Sequence, residues 1–518
     1  MDKVKSLLNV FVSIAFKIVL LVGSILVRRF IIQYIGNEVN GLNSLYTSII
    51  GFLSVAELGV GSAITFCMYR PIVNGEDQKV AALYRLFTAL YLIVGGIIFV
   101  CGIGVMFFLP YLAADYTGLN QNIYLTFALM LVSVVITYLF SSKTSLINAY
   151  KNNYITTIIS SSGLVLQYGL QIAVLICTRS FEWFLACRII AAAVQWAATE
   201  IIARITYGRI IKIKSTIDVR TRRDVTKNIK AMFMHRIGAV LVNTADSVII
   251  SAFIGVVILG EYSNYTTIMT AMTETIVLFF TPLTSVIGHM CVGSRNADIR
   301  RYFNFFHTFN FIIGALFFLG YYAVIDDLIL ILFDSGDGEL LLSKSVSFVI
   351  TLNYFIQFMR QATLLFRDAT GTFYNDRWKP LFEGVLNVVL SIAFVYVFSY
   401  AFGDDFAVVG VIVATIITNL TICHIVEPHV LSKYALKTSA KSYYLKNYLY
   451  IAVFSAALVG INYCMLDMSS AAAELLVNGC IAVGIAAALS LGAALADGDF
   501  RHYARRAAGK LASKLKGE

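Results

Sequence analysis

Apolar runs of roughly 20–30 residues alternate with short polar segments along the whole chain. We read fourteen such runs, at about 9–34, 42–70, 80–110, 121–148, 154–178, 182–208, 229–257, 261–291, 302–333, 345–371, 378–402, 406–432, 447–467 and 471–497. A helix crosses a bilayer with about 20 apolar residues. Barrel strands would be about ten residues long and would alternate in polarity. These runs are longer and do not alternate, so the pattern predicts an all-α polytopic membrane protein with 14 transmembrane helices.

The polar segments test that count. With the N-terminus on the cytoplasmic side, the cytoplasmic segments hold 28 Lys and Arg, and the opposite segments hold Arg179 and Lys344 alone. The opposite side also holds ten acids, among them Glu38, Asp334, Asp404 and Asp467. Basic residues stay on the cytoplasmic side of short loops. One span more or fewer would reverse every loop downstream. Both termini are therefore expected in the cytoplasm, and the first apolar run reads as a span rather than a cleaved leader.

Composition agrees. Of 518 residues, 59% are hydrophobic and 14% are charged, against about 45–50% and 25% in soluble domains. An ordinary soluble protein, a disordered chain and a nucleic-acid-binding module are excluded. The net charge of +10 reports membrane orientation rather than a nucleic-acid partner. The eight cysteines form no CxxC pair and read as small buried hydrophobes, not as metal ligands.

Two stretches align at an offset of 219: IGNEVNGLNSLYTSI at 35–49 and IGVVILGEYSNYTTI at 254–268, with seven of fifteen positions identical. Both join an odd-numbered span to an even one on the same side. Span 7 thus repeats span 1 in the same orientation. This predicts an N-lobe of helices 1–6 (1–208), a basic cytoplasmic linker (209–228) and a C-lobe of helices 7–12 (229–432). Helices 13 and 14 (433–497) and a basic tail (498–518) follow. Parallel repeats of this kind mark secondary transporters with the substrate path between the lobes.

Ten basic residues fall inside the spans. A charge at mid-membrane costs roughly 2.5–3.5 kcal/mol even on lenient scales, so it faces a cavity or a partner. Lys17, Ser24 and Arg28 form one stripe of span 1 at 100° per residue. Arg29 points about 100° away from Arg28, and one of the two has the alternative of reaching to the surface. The repeat offset places Lys17 on Arg236 of span 7. Span 10 adds Arg360, either as a cavity contact or as a partner of an acid inside one lobe. Lys17, Arg28, Arg29, Arg236 and Arg360 are the candidate substrate contacts. Glu57, Asp246 and Glu274 are candidate coupling or gating acids, with static pairing as the bland alternative. Guanidinium groups suit phosphate because they bond it in bidentate fashion. The chain lacks a P-loop, an HExxH motif and a nucleophile elbow, so no catalytic residue, metal or cofactor is expected. A proton or sodium gradient is the candidate energy source.

The stretch VRRFIIQYIGNEVNGLNSLYTSIIGFLSVAELGVGSAI, residues 27–64, resembles the start of the Wzx-type polysaccharide-unit flippases. Their superfamily includes the lipid II flippases and the multidrug and toxin extruders. The shared features are a basic first helix, a YIG then GL turn, and AELG with small residues in the second helix. The resemblance implies a V-shaped fold with inward-open and outward-open states. It also implies movement of undecaprenyl-diphosphate-linked oligosaccharide from the inner to the outer leaflet of a bacterial cytoplasmic membrane for polysaccharide assembly. The diphosphate would meet the central cations. Membrane lipid and a polysaccharide polymerase or glycosyltransferase would be partners, and the protein would be a monomer. Two other readings stand beside this one: a cation-coupled multidrug exporter of the same superfamily, and a membrane glycosyltransferase or polysaccharide polymerase. The last would need a large outer loop or a carboxylate cluster at a span end.

Overall fold

The computed structural model describes residues 2–54, 60–114, 116, 121–215, 240, 242, 244–280, 283–293, 296–333, 340–468 and 470–515. Among them there is no strand. Nine of the described helices are long and apolar enough to cross a membrane, and the described residues of each of the fourteen apolar runs include helix. The protein is an all-helical, multi-pass membrane protein. It divides into two compact units, Met1–Gly260 and Glu261–Glu518.

Unit 1 starts with α1 (Asp2–Tyr34), α2 (Asn37–Leu53), α3 (Val60–Val73) and α4 (Asp77–Met106). The one-turn α5 (Leu109–Leu112) precedes α6 (Ile123–Ala149), α7 (Asn153–Thr178) and α8 (Phe181–Lys212). Asn122 caps α6 by accepting from the N–H groups of Tyr124 and Leu125, both at 3.1 Å. Ser180 caps α8 through the N–H of Trp183. The unit ends with α9 (Thr244–Phe253) and the first turn of α10 (Val256–Phe280).

The repeated IG motif explains itself at two helix ends. Gly36 has φ +115 and Gly255 has φ +136, a region an L side chain rarely enters. Around each, the closing bonds match. Ile35 N–H and Gly36 N–H both donate to the Ile31 carbonyl, and Ile254 N–H and Gly255 N–H both donate to that of Ile250. Asn40 N–H then returns to Gly36, as Leu259 N–H does to Gly255. Position for position, these partners stand 219 residues apart. A glycine in the left-handed region ends one helix and opens the next at a fixed angle.

In unit 2, α10 continues to Phe280 and is followed by α11 (Leu283–Gly293) and the long α12 (Asn296–Phe333). The single run at 345–371 is two helices, α13 (Lys344–Met359) and α14 (Gln361–Thr370), broken at Arg360. After α15 (Lys379–Phe402), the run at 406–432 is α16 (Ala407–Thr418), a π turn over Asn419–Cys423, α17 (His424–Leu431) and a second π turn to Leu436. A π turn adds a residue to the helix and re-aims the side chains beyond it. Then come α18 (Lys441–Asn462), α19 (Ala471–Ala496) and the tail helix α20 (Gly498–Leu515). The core is rich in stacked rings, such as Phe355 on Phe454 and Phe311 on Tyr450. The tail helix is docked: Phe500 stacks on Phe305, and Tyr503 meets Tyr302 edge-on at 5.3 Å.

Candidate functional site

The cations of unit 1 sit on helices that pack closely. Gly23 lets α1 close on α7, since a Cβ there would lie 2.6 Å from a ring carbon of Tyr168. Lys17 and Arg28 are half-buried, whereas Arg29 is exposed. Of the two adjacent arginines, Arg28 is therefore the one packed into the unit. The Ser24 hydroxyl turns back onto the Leu21 carbonyl of its own helix at 2.8 Å.

Arg188 is a further in-span cation of this unit, one that no sequence feature sets apart from the others. It lies seven residues into α8, about 10 Å from the helix start. Its Nη1 contacts Met130 Sδ at 3.9 Å, and Tyr168 is near enough to interact electrostatically. No carboxylate among the described residues pairs with it. Lys143 and Arg204 differ, for they share Glu200 at 2.8 and 2.5 Å.

Unit 2 treats its deep arginine in the opposite way. Arg360 donates from Nε and Nη2 to the two oxygens of Glu427, at 3.1 and 2.6 Å, and from Nη1 to Asn419 Oδ1 at 2.7 Å. Glu383 lies 3.7 Å from Nη1. Lys379 Nζ bonds Glu427 at 2.6 Å and Glu383 at 3.0 Å. Two cations thus meet two carboxylates, and Glu427 is 1% exposed. Of the two readings for Arg360, the structure shows the ion pair inside one unit. Its charge is compensated rather than presented to an anion, and the bond fastens the break between α13 and α14 to α15 and α17. Seven residues further, Arg367 bonds Asp368 and Asp376, each at 3.1 Å.

The remaining candidates separate. Asp246 is buried on α9, and Glu274 is exposed on α10. Arg236 and Glu57 lie outside the described residues. Sequence reasoning missed Glu383 and Glu427 as membrane acids, and it counted Lys379 with the cytoplasmic charges. The available signals were local: Glu383 stands one turn after Lys379, and Glu427 stands inside an apolar run before Pro428.

No family model matches the sequence, and no curated protein matches it either. Solved structures do match the fold. The chain is similar to an inward-facing multidrug resistance MATE family transporter of the MOP superfamily, at 13% identity over 86% of this chain and 99% of that one, with a TM-score of 0.62. It is similar to the lipid II flippase MurJ in an inward closed conformation, at 14% identity over 93% of this chain and 98% of that one, with a TM-score of 0.59. A Vibrio cholerae MATE transporter, VcmN, matches at 14% identity over 83% of this chain and 97% of that one, with a TM-score of 0.51. The chain shares the fold of these solved structures.

Proposed function

We propose that the protein is a flippase that moves undecaprenyl-diphosphate-linked oligosaccharide from the inner to the outer leaflet of a bacterial cytoplasmic membrane by alternating access through a cationic cavity. The carrying observation is Arg188, set against a thioether and a phenol with no carboxylate partner among the described residues. Such a cation costs roughly 2.5–3.5 kcal/mol in a membrane, and a diphosphate is a ligand that would offset the cost. Arg28 and Lys17 of α1 add positive charge in the same unit, and Arg236 is their counterpart by repeat position. Arg360 acts as a brace in this reading. Glu57, Asp246 and Glu274 are the candidate carboxylates for coupling to protons or sodium. The likeness to a lipid II flippase over 98% of that chain supports the same class of cargo.

The test is restoration of surface polysaccharide in a flippase-deficient strain by Arg28→Ala, Arg188→Ala and Arg236→Ala. Strong loss of polymer at normal protein level is expected for each. Full polymer in all three would overturn the cationic cavity. The second reading, a cation-coupled multidrug exporter, draws on the TM-score of 0.62 to a MATE transporter. Drug efflux that depends on Asp246 or Glu274 and ignores Arg188 would favour it.

A further inference from the structure

Unit 2 has an open cavity of about 640 Å³ where α13 begins and α18 ends. That volume falls within the roughly 300–1,000 Å³ of small-molecule sites. The walls are apolar, from Phe348, Val409 and Val459, and the mouth carries Lys344, Asp467 and Glu474. The mouth is held in place by backbone bonds. Asn478, 1% exposed, accepts from Leu466 N–H at 2.9 Å and donates to the Leu466 carbonyl at 3.2 Å. Glu474 accepts from Met468 N–H at 3.2 Å. Tyr322 donates its hydroxyl hydrogen to Asn462 Oδ1 at 2.6 Å, and Phe348 stands edge-on to the Tyr322 ring at 6.2 Å.

The charge at this mouth is unbalanced. Lys344 is paired with Asp326 at 2.5 Å. Asp327 is adjacent in sequence and 7% exposed. Asp467 and Glu474 form no ion pair among the described residues. Of the charged side chains that line the cavity, the one cation is thus held by an acid outside the lining, and the two carboxylates, Asp467 and Glu474, have no cation of their own among the described residues. No group of three ligating side chains among the described residues is arranged for a metal ion, and aliphatic walls would not solvate one. Carboxylates beside an aromatic ring and an aliphatic wall suit an organic cation with an apolar or weakly polar body.

We propose that this cavity binds a primary ammonium group carried on a larger molecule, either the headgroup of an aminophospholipid or an amino sugar. The site lies within unit 2 and does not depend on the flippase reading. The full-length protein, delipidated in detergent, would be tested by thermal unfolding with two matched pairs of probes. One pair is short-chain phosphatidylethanolamine and phosphatidylglycerol of the same chains. The other is glucosamine and glucose. At least one ammonium probe should raise the melting temperature above its matched partner. A response to phosphatidylethanolamine alone assigns a lipid, and a response to glucosamine alone assigns a sugar. The double variant Asp467→Asn with Glu474→Gln should weaken binding by roughly tenfold or more, about 1.4 kcal/mol per tenfold. Val459→Trp, at a position 46% exposed, should fill the cavity without changing charge and block binding in a folded protein. Equal responses within each pair, or a response that survives Val459→Trp, would overturn the proposal.

Discussion

Gly41 and Gly260, equivalent positions of the repeat 219 residues apart, each press against the other's helix. A Cβ on Gly41 would lie 1.9 Å from the Val256 carbonyl oxygen, and one on Gly260 would lie 2.5 Å from the Asn37 carbonyl oxygen. Asn37 and Val256 are themselves repeat equivalents. The contact between α2 and α10 is thus nearly the same from both sides, as a local two-fold relation requires. Asn40 strengthens it with a bond from Nδ2 to the Gly260 carbonyl at 3.3 Å. Within unit 1 the fifteen-residue motif thus meets the first turn of its own repeat.

Gly41→Val and Gly260→Val should both be severely destabilising, because the obstructing atoms are backbone and cannot rotate away. Overpacking costs about 1–3 kcal/mol in ordinary cores, and these sites should reach the upper end. Gly96, with nothing within 4 Å of its would-be Cβ, should accept alanine without loss. Melting temperatures in detergent would show it, and a wild-type value for Gly41→Val would refute the contact.

Glu427→Ala should cost about 3–5 kcal/mol, since it leaves Arg360 and Lys379 buried with one carboxylate between them. The double change Arg360→Met with Glu427→Leu should recover part of that, because Lys379 and Glu383 remain a neutral pair at 3.0 Å. Chemical unfolding of the purified variants measures both. Equal stability of the single and double variants would argue against the pairing.

Arg29→Ala should leave polysaccharide export near wild type, while Arg28→Ala and Arg188→Ala should lower it by tenfold or more, roughly 1.4 kcal/mol of lost phosphate interaction each. The contrast follows from exposure, since Arg29 is exposed and Arg28 is half-buried. Radiolabelled polymer at matched expression would separate them. A larger defect in Arg29→Ala than in Arg28→Ala would reverse the assignment.

Acid should loosen the tail helix. Burial pushes the Asp497 carboxyl up, but hydrogen bonds from Lys446 and Thr308, with the charge of Lys446, outweigh burial and hold it below the usual range. A depressed carboxyl contributes stability above its unfolded value of about 3.9 and loses that contribution as the pH falls through the folded value. Hydrogen exchange over residues 498–506 should therefore accelerate below about pH 4. Asp497→Ala should accelerate it already at neutral pH, because the α20 N–H groups of Asp499 and Phe500 bond to Asp497 Oδ1 at 2.8 and 3.1 Å. Unchanged protection in both experiments would count against this anchor.

Some of the helical spans could be read nearly to the residue. The runs at 154–178 and 471–497 became Asn153–Thr178 and Ala471–Ala496. Breaks inside a run could not be read. Nothing in SFVITLNYFIQFMRQATLLF announces that Arg360 interrupts it, because hydropathy does not register a helix that bends to bring one guanidinium onto a carboxylate 67 residues away. The sequence marks the tail only as basic. Its aromatic face met α12, which only packing could reveal.

What the sequence determined by itself is the helical class, the positions of the apolar runs and the repeat with its paired glycine turns. These depend on hydrophobicity and backbone conformation within a few residues, which neighbours in sequence dictate. The tertiary structure alone decided which buried cations are compensated. Arg360 found Glu427 and Glu383, while Arg188 found sulfur and phenol. A charge's partner depends on the rotation and contact of helices remote in the chain, and no periodicity within one helix encodes its neighbour's azimuth.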